Sequence, residues 1–87
     1  MASYKIRWKN SAKKELKKLD KKVILRILQA VEKLATNPHP SGSKKLMGSE
    51  SIYRIRVGDY RIIYNIKSSV LTIEIITVGH RREVYRK

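Results

Sequence analysis

Residues 53–64 read Tyr-Arg-Ile-Arg-Val-Gly-Asp-Tyr-Arg-Ile-Ile-Tyr, and this stretch decides the fold of the 87-residue chain. β-Branched and aromatic side chains are frequent on both sides of Gly58-Asp59, as they are in strands. A two-residue turn is typical of a tight hairpin, and glycine takes the positive φ that such a turn needs. The stretch therefore predicts two antiparallel strands, at residues 52–57 and 60–66.

The tight turn also predicts which residues face each other across the hairpin. If Val57 pairs with Tyr60, then Arg56 lies opposite Arg61, and Arg54 lies on the same face as both. The other face carries the side chains expected in the core, which are Tyr53, Ile55, Val57, Tyr60, Ile62 and Tyr64, joined from the next strand by Leu71, Ile73 and Ile75. The pattern thus predicts one face for a core and one face that carries three arginines.

The rest of the chain predicts one strand before two helices and one strand after the hairpin. The elements are a strand at 4–8, helices at 12–19 and 21–36, and a last strand at 70–78. Asn10-Ser11 and Asp20 are suitable N-caps for the two helices, and the second helix carries one continuous apolar stripe. The predicted order is β-α-α-β-β-β. Residues 1–87 are expected to form one α+β domain, with two helices packed on one face of a small, mostly antiparallel sheet.

The composition narrows the class of function. Lysine and arginine number 21 against 7 aspartates and glutamates, a net charge of +14, which predicts a polyanionic partner such as nucleic acid. The alternative is that lysine-rich helices merely keep a small protein soluble. The absence of cysteine excludes disulfides and thiolate metal sites. Without a membrane span or signal peptide, we expect a cytoplasmic protein with no membrane partner.

The paired arginines need a counter-charge. Two like charges about 5 Å apart repel by roughly 1 kcal/mol in water and about 3 kcal/mol at an effective dielectric constant near 20. Glu74, expected opposite Ile63, is one candidate partner. A bound phosphate is another, because guanidinium groups grip phosphate with two parallel hydrogen bonds. The alternative is that the arginines extend into solvent as the polar side of the sheet.

Groups suited to acid–base chemistry lie near the C-terminus. His80 has a reference pKa near neutrality, and Tyr85 can act as a base where neighbouring cations stabilise its phenolate. His39 lies between two prolines and is expected to be an exposed turn residue. Two histidines far apart in sequence predict neither a zinc site nor any other metal centre, and no motif for a cofactor is present.

Residues 53–64, followed by Gly-His-Arg-Arg-Glu-Val-Tyr-Arg at 79–86, resemble the RelE/ParE superfamily of toxins from type II toxin–antitoxin systems. The resemblance covers nearly the whole chain and implies a microbial-RNase-like fold, cleavage of mRNA in the ribosomal A site and neutralisation by a cognate antitoxin. Matched by position, the functional residues of the RelE branch correspond to Arg54, Arg56, Arg61, Arg81 and Tyr85. The ParE branch shares the fold, acts against DNA gyrase and generally lacks this set, so the resemblance favours the RelE branch.

Our hypothesis for the mechanism is a metal-independent endoribonuclease in which the RNA's own 2′-OH attacks the adjacent phosphorus. Arg61 and Arg81 would stabilise the transition state, Arg54 and Arg56 would hold phosphates, and Tyr85 or His80 would accept the proton. The best-studied pattern of the family has lysines at the positions of Arg54 and Arg56. Docking on ribosomal RNA is assigned to six lysines, namely Lys13, Lys14, Lys17, Lys18, Lys21 and Lys22. Two alternatives remain, a gyrase inhibitor without nuclease activity and an inactive RNA-binding or antitoxin-buffering relative.

Overall fold

A computed structural model describes residues 3–46, 48 and 50–80, and it places two helices against one sheet. The elements are β1 (Lys5–Trp8), α1 (Asn10–Lys17), α2 (Lys21–Leu34), β2 (Lys44–Lys45), β3 (Ile52–Val57), β4 (Tyr60–Lys67), a 3-10 turn (Ser68–Val70) and β5 (Thr72–His80). The strand order in the sheet is β1-β5-β4-β3-β2. Only the β1–β5 pair is parallel among the described strands, so the predicted α+β fold with a mostly antiparallel sheet is confirmed.

The register of the central hairpin follows from its turn. Val57 pairs with Tyr60 and Arg56 with Arg61, as the sequence predicts. Gly58 has a φ of 59°, a left-handed conformation that a side chain would strain. Because side chains alternate along a strand, this register assigns every residue of β3 and β4 to one face of the sheet.

The core lies between α2 and the sheet. Helix α2 forms because apolar residues recur at helical spacing, and it buries Ile27, Val31 and Leu34. The sheet contributes fully buried side chains from its two central strands, among them Ile62, Tyr64, Ile73, Ile75 and Val78. The helices thus cover one face of the sheet, and the arginine-bearing side chains of β3 and β4 belong to the other face.

Several details differ from the sequence prediction. Helix α1 begins at Asn10 with Lys9 as its N-cap, and neither Lys9 nor Asp20 makes a side-chain capping hydrogen bond. Leu71 is wrong as a core residue, because it lies in the turn before β5 with a φ of 46° and is 42% exposed. Its N–H bonds the Ser68 carbonyl at 3.2 Å, which ends the 3-10 turn and delays the strand to Thr72.

The turn between β4 and β5 sets the position of Glu74. Because β5 begins only at Thr72, which pairs with Lys67 after the 3-10 turn, Glu74 lies opposite Asn65 and not opposite Ile63. Its carboxylate forms an ion pair with Lys67 at 3.6 Å. Glu74 is therefore not the counter-charge that we expected for the paired arginines.

The longest described helix, α2, has 14 residues. No helix within the described part of the chain has the length and apolar character needed to cross a bilayer.

Candidate nucleic-acid interface

The site begins with Arg61 in β4, the central strand of the sheet. Arg61 lies between Arg56 of β3 and Gly79 of β5, on the face away from the helices. Its side chain is only 4% exposed, whereas Arg56 is exposed and Arg54 is half-buried. Burying a guanidinium group removes its hydration and therefore costs free energy, whereas an arginine at the surface keeps its hydration. The structure therefore contradicts the alternative in which all three arginines simply extend into solvent.

The three arginines line one cavity of about 300 Å³ together with Gly42 and Lys44. Four of these five residues carry a positive charge, and within the described residues the lining includes no carboxylate. Cations held this close repel one another, so an anion in the cavity would be strongly stabilised. Arginine also matches the geometry of phosphate oxygens with paired hydrogen bonds.

Lys44 is a site residue that the sequence analysis did not identify. It lies opposite Arg54, which brings its ammonium group to the same face of the sheet as the arginines. Strand β2 has only two residues, Lys44 and Lys45, so no alternation of polar and apolar side chains marks it as a strand. The only signal in the sequence was the positive charge itself.

An aromatic stack holds the loop that forms the rim of this cavity. The Tyr64 hydroxyl donates a hydrogen bond to the Pro38 carbonyl at 2.8 Å. The ring of Tyr53 stacks on Tyr64 with centroids 6.1 Å apart and meets the ring of His39 edge-on at 4.7 Å. His39 is exposed, as expected for a turn residue, and its ring helps to fix the loop that leads to Gly42.

Burial raises the pKa of Tyr64 from 10.0 to about 12, against the opposing effect of a hydrogen bond with Ser43. The folded state therefore favours the neutral phenol, and this stabilisation is complete below pH 10 and lost as the pH rises toward 12. Two pKa units correspond to about 2–3 kcal/mol. We expect the free energy of unfolding, measured in urea from about pH 9 to pH 12, to fall more steeply for the wild type than for Tyr64→Phe. Parallel curves for the two proteins would contradict this assignment.

The structure does not bring His80 together with the arginines. Arg61 pairs with Gly79, so the next residue, His80, pairs with Tyr60 on the helix side of the sheet. The rings of His80 and Tyr60 meet edge-on at 5.6 Å, beside a separate cavity of about 410 Å³ that Glu15 and Lys18 also line. The described geometry therefore places His80 outside the arginine cavity.

Arg81 and Tyr85, the two other predicted catalytic residues, lie outside the described residues. The described residues that line the cavity are cationic apart from Gly42, and they include no histidine, tyrosine or carboxylate. Within the described part of the chain, no group of three or more histidine, cysteine, aspartate or glutamate side chains is placed to hold a metal ion.

The six predicted docking lysines are all exposed on α1, on the link after it and on the start of α2. Lys21 and Lys22 occupy the first turn of α2, which contains no acidic residue. A cation at a helix N-terminus opposes the helix dipole and costs about 0.3–1 kcal/mol. These two charges therefore do not stabilise the helix that carries them.

Comparison with known proteins finds similar proteins that match nearly the full length of this chain. A family model described as the ParE toxin of the type II toxin–antitoxin system parDE matches residues 6–85. A putative RelE-like toxin protein of Escherichia coli is 32% identical over 80 residues, which cover 90% of this chain and 83% of that protein. Toxin RelG of Mycobacterium tuberculosis is 27% identical over 97% of this chain and 98% of that protein.

Among solved structures, an archaeal RelE-RelB complex from Pyrococcus horikoshii contains a similar chain. The match has a TM-score of 0.82 and 30% sequence identity, and it covers 91% of this chain and 96% of that chain. The two helices packed on a five-stranded sheet are thus the architecture of a known toxin.

Proposed function

The chain belongs to the RelE branch of the RelE/ParE toxin superfamily, and from this we propose that it is a ribosome-dependent endoribonuclease that cleaves mRNA in the A site. The observation that carries the proposal is the cationic cavity on the open face of the sheet, in which the buried Arg61 is joined by Arg54, Arg56 and Lys44. A toxin that only blocked a protein surface would have no need for a buried guanidinium group beside three further cations.

The cavity suits a phosphodiester whose charge increases during the reaction. In the proposed step the 2′-oxygen attacks the adjacent phosphorus, the bond from phosphorus to the 5′-oxygen breaks, and a 2′,3′-cyclic phosphate remains. Arg61 stabilises the developing charge on the non-bridging oxygens, and Arg81 is proposed to do the same. Arg54, Arg56 and Lys44 hold the scissile and flanking phosphates.

Two protons must move in this reaction. We assign to Tyr85 the acceptance of the 2′-OH proton, because a phenolate is a base that positive charge in the site would favour. The 5′-oxygen leaves with a proton from Tyr85, from solvent or from a ribosomal group. The proposal needs no metal ion, since guanidinium groups supply the stabilising charge.

The ribosome supplies what so small a protein lacks, namely a fixed geometry for the mRNA. We propose that the exposed lysines Lys13, Lys14, Lys17, Lys18, Lys21 and Lys22 dock on ribosomal RNA. Such contacts release counterions, so the affinity for ribosomes should fall steeply with salt.

Replacing Lys13 and Lys17 with alanine should make the slope of log affinity against log salt less steep by about 1–2. A slope unchanged from the wild type, measured by co-sedimentation with ribosomes, would remove these two lysines from the docking surface.

An antitoxin is the second proposed partner. The similar chain from Pyrococcus horikoshii was solved as a RelE-RelB complex, and a chain with a net charge of +14 is suited to an acidic partner. We propose that a cognate antitoxin neutralises this protein in the cytoplasm.

The matched family description names a ParE toxin, which makes gyrase inhibition the alternative function. A reconstituted translation reaction and a gyrase supercoiling reaction, each given the same range of protein concentrations, separate the two. We expect peptide synthesis to stop while supercoiling continues. Inhibition of supercoiling with normal peptide synthesis would replace the proposed function by the alternative.

A further inference from the structure

A second cleft of about 350 Å³ lies between α2, the loop at residues 40–42 and strand β3. Helix α2 lines it with Arg26, Gln29, Ala30 and Lys33. These positions are spaced by three and four residues, so they form one stripe along the helix, next to the stripe that is buried in the core. The helix side of the cleft is therefore formed by one face of α2.

The walls of this cleft combine apolar surface with positive charge. Ala30 of α2 and Ile55 and Val57 of β3 give an apolar floor. Arg26, Lys33 and Arg56 are exposed cations around it, and among the described residues no ion pair engages any of the three. The lining includes no carboxylate within the described part of the chain. A ligand that fits must therefore carry both negative charge and a flat or apolar part.

The second cleft adjoins the arginine cavity. Gly42 and Arg56 line both of them. Strand β2 pairs only with Tyr53 and Arg54 of β3. A chain of phosphates on the arginine face would thus continue past Arg56 around the edge of β3 toward α2. The volume also lies at the lower end of the range of about 300–1,000 Å³ that is typical of small-molecule sites, which suits one nucleotide.

We propose that this cleft binds one nucleotide of single-stranded RNA, next to the nucleotide held at the arginine cavity. Arg26 and Lys33 bind its phosphate, and its base lies against Ala30, Ile55 and Val57. Gln29 offers an amide donor and acceptor to the edge of the base. That this RNA is the cleaved mRNA rests on the proposed function. The existence of the subsite rests only on the geometry of the cleft.

The test uses the purified protein and a labelled RNA of about six nucleotides with 2′-O-methyl groups, which bind but are not cut. The variant is the double substitution Arg26→Ala with Lys33→Ala, and the control is Lys5→Ala with Arg7→Ala, which removes the same two charges. Lys5 and Arg7 are exposed on β1, which β5 and β4 separate from β3. Thermal unfolding of each variant confirms that it folds, as expected for changes at exposed residues.

Loss of the two cations that hold this phosphate should make the slope of log affinity against log salt less steep by about 0.7 and weaken binding at about 50 mM salt by at least about tenfold. The control should change the affinity by less than about threefold, since the charges of Lys5 and Arg7 lie far from the cleft and are screened by salt. Equal losses in the variant and the control would overturn the proposal. So would failure of the wild-type protein to bind the RNA at low salt.

Two further probes identify the ligand. An RNA of the same length without bases should bind several-fold more weakly than the intact RNA, and equal binding would overturn the claim that the cleft holds a base. Hexaglutamate of similar charge should displace the RNA poorly. Equal displacement would assign the cleft to an acidic peptide and overturn the proposal.

The outcome is independent of the proposed catalysis. If the wild-type protein cuts no mRNA on the ribosome but the Arg26/Lys33 variant loses RNA affinity, the subsite stands and the proposed function fails. If the ribosomal cut occurs and the variant binds the short RNA like the wild type, the function stands and the subsite is overturned.

Discussion

Arg61→Ala should slow ribosome-dependent cleavage of mRNA by at least about 100-fold, because a donor that stabilises developing charge contributes about 100-fold to 1,000-fold. Arg61 occupies the centre of the sheet and is the most deeply buried of the three arginines. Its charge is therefore less screened by water than that of Arg56, and each interaction with a phosphate oxygen is stronger. The measurement is a single-turnover cleavage rate at saturating ribosomes.

Two variants show whether the loss is chemical. Arg61→Lys keeps the charge but loses the paired hydrogen bonds, so we expect a rate between those of the wild type and Arg61→Ala. Arg7→Ala, at an exposed position of β1, should cut at the wild-type rate. Because Arg61 is buried, the unfolding midpoint of each variant is measured as well. A folded Arg61→Ala protein that cuts as fast as the wild type would remove Arg61 from the mechanism.

Ile62→Ala should lower the free energy of unfolding by about 2–5 kcal/mol, the usual cost of truncating a fully buried isoleucine. Ile62 is 0% exposed in β4, on the face covered by the helices. Small domains are stable by only about 5–15 kcal/mol, so this substitution should unfold a large fraction of the protein at moderate urea concentrations. The midpoint and slope of a urea unfolding curve measure the effect.

Ile63, the residue after Ile62, provides a matched control because it lies on the opposite face of β4. Ile63 is also an isoleucine of β4 but is only partly buried on the opposite face. Ile63→Ala should cost about 1 kcal/mol or less, since fewer contacts and less apolar area are lost. A larger loss for Ile63→Ala than for Ile62→Ala would reverse the assignment of the two faces and with it the position of the arginine cavity.

The hairpin and its faces could be predicted from sequence because the determinants are local. A two-residue turn at Gly58-Asp59 fixes the register, and strict alternation then separates the arginines from the core residues. The helices were predicted from the spacing of their apolar residues, whereas the N-caps of both helices make no side-chain capping hydrogen bonds. The burial of Arg61 could not be predicted from the sequence, since the exposure of a side chain depends on the whole fold and not on its own strand.

The remaining features depend on contacts that are distant in sequence. The 3-10 turn delays β5, so that its pairing with β4 begins at Thr72 and Lys67 and sets Glu74 opposite Asn65, away from the arginines. The same pairing carried His80 to the helix side, because β5 continues two residues past the predicted end of the strand. Lys44 enters the site only through the pairing of the short strand β2 with β3.

Mapping the 5′ ends of mRNA on ribosomes stalled at a defined codon, by primer extension, tests whether the protein is an A-site nuclease. We expect the wild-type protein to produce one break within the A-site codon, only when ribosomes are present. Arg61→Ala and Tyr85→Phe should abolish the break, and His80→Ala should retain it, since His80 lies on the other side of the sheet. Intact mRNA on active ribosomes with the wild-type protein would show that the cationic cavity does not cut RNA there.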